Sequence, residues 1–127
     1  MSEIQELQVK EMERCREWIE GALKVYDTHD FEDIVLGVLQ GQFNFWSAPD
    51  ACIVTEFLHY PKYRALNVFL TGGNLKTLMV MRKTIEKFGK ETGCKKITGS
   101  GRKGWARGFT NSKDVDGIYG YMYAKEL

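Results

Sequence analysis

The sequence predicts a mixed α/β domain built on a mostly antiparallel sheet, and three observations predict it. Apolar residues recur every three to four positions in three stretches, the mark of helices with one buried side. Between and after those stretches lie short aromatic or β-branched runs punctuated by Pro, Gly and Asn, which read as strands joined by tight turns. The chain has 127 residues, 43% of them hydrophobic and 28% charged, which suits one folded unit with one core and argues against disorder. Residues 1–127 are therefore read as a single domain, with 1–27 as an N-terminal helical extension.

The elements follow in order. Residues 3–26 read as one long amphipathic helix in which Cys15, Trp18, Ile19, Ala22, Leu23 and Tyr26 form the apolar stripe. Thr28 or Asp30 then caps a second helix, whose stripe is Phe31, Ile34, Val35, Val38 and Leu39 and which Gly41 ends. Phe43–Trp46 is a short aromatic strand, Ser47-Ala48-Pro49-Asp50 a turn, Ala51–Tyr60 a longer strand, Pro61–Arg64 a second turn and Ala65–Leu70 a third strand. Together these three form an antiparallel meander. Gly72-Gly73-Asn74 opens a further helix, with Leu75, Leu78, Met79, Ile85 and Phe88 as its buried stripe and Gly93 at its C-terminal stop. Cys94–Thr98 is a strand, expected to run parallel to residues 65–70 through a right-handed crossover. A helical turn around Trp105-Ala106-Arg107 follows, and Gly117–Tyr123 reads as a closing strand with Tyr119, Tyr121 and Tyr123 on one side.

Composition narrows the function. No apolar run reaches the length of a membrane span, and the polar start Met1-Ser2-Glu3-Ile4-Gln5-Glu6 is not a signal peptide, so the expected location is a cytoplasm or a particle assembled there. Cys15, Cys52 and Cys94 are odd in number and scattered, which reads as buried reduced thiols. With only His29 and His59 beside them, no metal site is expected. Nucleophilic triads find no support either. Net charge is +1, but residues 1–35 hold ten acidic and four basic side chains, and residues 76–113 eleven basic and two acidic ones. That asymmetry reads either as two solvated surfaces of opposite sign or as a basic segment that meets an anion. Lys76, Lys83, Lys87 and Lys90 share one helical side with Arg82 beside them, but no reading helix or stacking platform accompanies them, so nucleic acid is not the expected partner.

Several runs carry a family resemblance. They are Phe31-Glu32-Asp33-Ile34-Val35, Gln42–Trp46, Val54-Thr55-Glu56, Tyr60-Pro61, Val68-Phe69-Leu70-Thr71-Gly72-Gly73, Gly93-Cys94 and Gly101-Arg102-Lys103-Gly104-Trp105-Ala106-Arg107. In these runs and in its element order the chain resembles the GNAT acetyltransferase superfamily, and most closely the short GNAT-like proteins of tailed bacteriophages. The last run is the most specific. The resemblance implies a GNAT-like acyl-CoA N-acyltransferase fold, with a twisted sheet and helices on both faces and a long N-terminal helix in place of the first strand.

The resemblance also implies a chemistry. An acetyltransferase of this fold holds the pyrophosphate of acetyl-CoA on backbone N–H groups at a strand-to-helix turn. Here that place is Phe69, Leu70, Thr71, Gly72, Gly73, Asn74 and Leu75, with Arg102 as a phosphate partner and the pantetheine arm along the open edge of strand 65–70. The turn lacks the superfamily's leading Arg or Gln and is several residues shorter. Glu56 is the candidate base for a small-molecule or protein amine, being a carboxylate in the otherwise apolar run Ile53–Leu58; the alternative is an exposed residue on one side of a strand. The superfamily's Tyr acid has no counterpart, since its position falls near Thr110. Trp105 is expected to be buried, with Arg102 beside the Gly72-Gly73 turn. Two functions follow: a phage-encoded, acetyl-CoA-binding N-acetyltransferase, or a non-catalytic virion or interaction protein that keeps the fold and docks on phage structural partners or on itself.

Overall fold

The computed structural model describes residues 1–100, 117–119 and 122–127. Its elements are α1 (Glu3–Arg14), α2 (Arg16–Tyr26), α3 (Phe31–Leu39), β1 (Phe43–Ala48), β2 (Ala51–His59), β3 (Arg64–Gly73), α4 (Leu75–Glu91), β4 (Lys96–Ser100), β5 (Gly117–Tyr119) and β6 (Met122–Glu126). The six strands form one sheet in the order β1-β2-β3-β4-β6-β5. Among the described residues only β3 and β4 are parallel, and α4 is the crossover between them. The expected meander and parallel pair are both present.

The sheet separates two cores. On one side Met12, Cys15, Ile19 and Leu23 of α1 and α2, and Phe31, Ile34 and Val38 of α3, close over Phe43, Cys52, Val54 and Leu70. On the other, Leu78 and Ile85 of α4 close over Ala51, Ile53, Leu66 and Ile97. Alternation along β2 makes this division: Cys52 and Val54 face the three helices while Ala51 and Ile53 face α4. Cys15, Cys52 and Cys94 are free and buried, as read from the sequence. Thr55, fully buried, is satisfied because its Oγ1 accepts from Trp46 Nε1 at 3.0 Å and Asn44 Nδ2 at 3.2 Å.

The structure corrects several boundaries, among them β4, which runs over Lys96–Ser100 and not over Cys94–Thr98. The expected helix 3–26 is interrupted at Cys15, whose φ and ψ are −92° and 6°. The Cys15 N–H is shared between the carbonyls of Glu11 and Met12, a tightening of one turn, yet Ile19 N–H still bonds Cys15 O at 3.1 Å. The apolar stripe therefore continues across the break. Residues 47–48 belong to β1, and β3 runs on to Gly73, three residues past its expected end at Leu70. Leu75 is half exposed, because it sits at the very start of α4, beyond the part of the helix that covers the sheet. The closing strand expected over 117–123 is instead two strands, β5 and β6, which pair antiparallel with Tyr119 opposite Met122. The helical turn expected at Trp105, and the placements of Trp105 and Arg102, lie outside the described residues.

Asp30 is the N-cap of α3, deciding between the two residues offered by the sequence, and the Asp33 carboxylate accepts from its N–H at 2.8 Å. Gly93 follows the C-cap of α4 with φ of +82°, as expected of a C′ glycine. Arg14 of α1 donates to the carbonyls of Ala48 and Pro49 at 2.9 and 3.0 Å, and so ties the first helix to the β1–β2 turn.

Candidate functional site

Strand β3 supplies both halves of the candidate site. Its first half is paired on both sides, with β2 and with β4, from Ala65 to Val68. There the register sets four residues in a row across the sheet: Phe43 of β1 opposite Glu56 of β2, Glu56 opposite Asn67 of β3, and Asn67 opposite Thr98 of β4. Alternation puts this row on the side of α1, α2 and α3. Thr98 Oγ1 donates to Asn67 Oδ1 at 2.9 Å. Glu56 is half-buried, and that loss of water raises its carboxyl above the usual carboxylate range, with His29 pulling weakly the other way. His29 lies between α2 and α3, with its ring edge-on to Phe43 and Phe69, and Tyr26 packs on Phe69 at 5.2 Å. The sequence reading found Glu56 but missed Asn67, Thr98 and His29. The signal was there: polar residues opposite one another in otherwise apolar strands, which needs the register to be seen.

The second half of β3 is different. The register with β2 shifts between Val54 and Thr55, which oppose Leu70 and Val68, so Phe69 is the extra residue of a β-bulge. Phe69 and Leu70 consequently both serve the core under the three helices. Pairing with β4 stops at Val68 opposite Gly99, while β3 continues to Gly73. Among the described residues nothing pairs with Phe69–Gly73 on that side. The open edge expected along 65–70 therefore begins only at Phe69; residues 65–68 are covered by β4.

The end of this edge is the expected phosphate turn, and here the geometry can be compared with what a diphosphate needs. Gly73 still pairs with Ala51, and α4 begins at Leu75, so Asn74 alone separates strand from helix. The Asn74 N–H is taken by Asp50 O at 2.8 Å, and Asn74 Oδ1 caps the helix by accepting from Thr77 N–H at 3.2 Å. The Asp50 carboxylate accepts from Thr77 Oγ1 at 3.0 Å, which places a negative charge where a phosphate would have to sit. The glycines leave no cradle open. A side chain on Gly72 would run into Trp18 of α2, and one on Gly73, whose φ is +107°, into Asp50 and Ala51. Their smallness is used up by the packing of the protein on itself. The Asn74 and Thr77 amides and the side-chain space at both glycines are thus already taken, which counts against the diphosphate of acetyl-CoA at this turn. Asp50, which the sequence reading treated only as a turn residue, is the side chain that decides this.

No family model and no curated protein matches the chain. The comparison of structures does find a likeness. A solved GNAT-family acetyltransferase from Listeria monocytogenes 4b F2365 superposes with a TM-score of 0.57 over 100% of this chain and 92% of its own, at 14% sequence identity. At that identity the likeness speaks for the fold alone. Together with the antiparallel meander, the parallel β3–β4 pair joined by α4 and the helices on both faces of the sheet, it shows that this chain has the GNAT acetyltransferase-like fold.

Proposed function

We propose that the chain is a GNAT-fold protein that has given up acetyl-CoA chemistry and works as a non-catalytic interaction component, in the setting of the tailed phages whose short GNAT-like proteins it resembles. The single observation that carries this reading is the closed turn from β3 into α4, with the amides of Asn74 and Thr77 spent on Asp50 and on the Asn74 side chain and its glycines packed against Trp18 and Ala51. The same fold can host many functions, so its retention does not require the reaction. Titration calorimetry with acetyl-CoA and with CoA tests it. We expect no heat up to about millimolar cofactor, a free energy of roughly −4 kcal/mol being the ceiling for so poor a site. Mass spectrometry of purified particles then asks whether the chain is packaged as a virion protein.

A second reading is an acetyl-CoA-dependent N-acetyltransferase, and Glu56 favours it. A half-buried carboxylate with raised proton affinity, beside the Asn67–Thr98 pair and the rings of His29 and Phe69, is suited to take a proton from an ammonium group. Binding of acetyl-CoA with a micromolar dissociation constant, together with transfer to an amine that Glu56→Gln abolishes, would establish this reading and sink the first.

A further inference from the structure

The two faces of the molecule carry opposite charge, and each presents apolar side chains to solvent. On the face of α1, α2 and α3, residues 1–35 hold ten acidic and four basic side chains. The first turns of α1 expose Ile4 and Leu7, 72% and 63% accessible, among exposed Glu3 and Glu6. On the opposite face, α4 carries five basic residues and two acidic ones. Of these, Arg82 and Glu86 pair with each other at 2.8 Å and are mostly covered. To solvent α4 shows Leu75, Thr84, Lys90 and Glu91, the last 3.9 Å from Lys87 Nζ, and beside them a stripe of Lys76, Val80 (67% accessible), Lys83 and Lys87. Spacings of four, three and four put these on one side of a helix, over a length of roughly 16 Å. The α1 surface from Glu3 to Glu13 is about as long.

We infer that α1 of one copy of this chain docks on α4 of the next, Ile4 and Leu7 against Val80 and the flanking glutamates against Lys76, Lys83 and Lys87. The occupant is a second copy because one chain offers both complementary surfaces. A single molecule cannot satisfy itself, for α1 and α4 lie on opposite sides of the sheet. The contact is therefore head-to-tail: each copy that docks exposes the other surface again, so the association proceeds to a ring or a filament and does not stop at a symmetric dimer. This inference does not depend on either reading of the cofactor turn.

Sedimentation velocity on the intact chain tests it. At about 50 mM salt we expect species larger than a dimer that grow with protein concentration, and at about 500 mM, where exposed charges are screened, a return toward monomer. The variant Lys76→Glu/Lys83→Glu/Lys87→Glu and the variant Glu3→Lys/Glu6→Lys should each weaken association by about tenfold or more. All five positions are exposed, so both variants should keep the parent's circular dichroism. An equimolar mixture of the two should associate again, because the reversed charges complement each other. A parent that stays monomeric at low salt, or a mixture that stays apart, overturns the inference. So does a monomeric parent that shifts DNA or RNA in a gel at low salt, which would assign the lysine stripe to nucleic acid instead.

Discussion

The two halves of β3 differ in one respect that governs everything around them. From Ala65 to Val68 the strand is held on both edges, and its polar groups are spent on β2 and β4 while its side chains build the Glu56–Asn67–Thr98 row. From Phe69 to Gly73 it is held by β2 alone, and the bulge at Phe69 turns successive side chains to the same face. The first half is where an amine could be received, and the second is where a cofactor would have to lie. On the reading proposed above, the first keeps its chemistry and the second closes it off. A fold can thus lose one end of a reaction while the other remains chemically intact, because each end rests on different neighbours.

Four substitutions sharpen or break this contrast. The largest effect is expected at the closed end. Gly73→Ala must hold a side chain at φ of +107° and displace the backbone of Asp50 and Ala51. It should cost about 2–4 kcal/mol in denaturant unfolding. A near-neutral result would mean that the turn has room to open, and would revive the cofactor reading. Next comes Thr55→Val, at the residue opposite Val68 where the two halves meet. It keeps the shape but leaves Trp46 Nε1 and Asn44 Nδ2 without their acceptor, and should cost about 1–3 kcal/mol. Asn74→Ala removes only the cap on α4, for a loss of about 1 kcal/mol.

The smallest effect is at Glu56, and it appears in the pH dependence. Its folded-state carboxyl is raised by loss of water, so the folded protein holds that proton more tightly than the unfolded chain does. The contribution is fully present below the ordinary carboxylate range and is lost as pH rises through the raised value. Glu56→Gln should therefore gain on the parent as pH climbs through that window and match it at low pH. Paired melts across the carboxylate range read this directly, and parallel curves would show that Glu56 is as well solvated as a free side chain.

Much of the fold was legible in the sequence because it rests on local periodicity and punctuation. The stripe of α3, the turn at Pro61 and the C′ glycine at Gly93 each have a signature within a few residues. The break at Cys15 had none: Met12, Cys15, Ile19 and Leu23 keep their spacing through it, and no Gly or Pro marks it. The strands 117–119 and 122–126 were read as one because the sequence alternation runs on across Gly120, and only the pairing of Tyr119 with Met122 separates them. The site was legible in part. Glu56 stood out as a charge among apolar neighbours, whereas its row with Asn67 and Thr98 depends on register across residues 11 and 31 positions apart. The glycine pair was visible but its use was not. Whether a missing side chain makes room for a ligand or for the protein itself is settled by residues far along the chain, here Trp18 and Asp50.

Arg14 of α1 grips the carbonyls of Ala48 and Pro49, and the next residue, Asp50, holds Asn74 and Thr77 at the head of α4. Two sets of hydrogen bonds, joined through the Pro49–Asp50 peptide, thus link the first helix around the rim of the sheet to the helix on the other side. The consequence is kinetic. The Asn74 amide is protected only as long as the Pro49-Asp50 turn is in place, so its hydrogen exchange should report the state of α1 from across the molecule. With Arg14→Ala the Asn74 amide should exchange faster, while the amides of β4, held by a separate set of partners, keep the parent's rates.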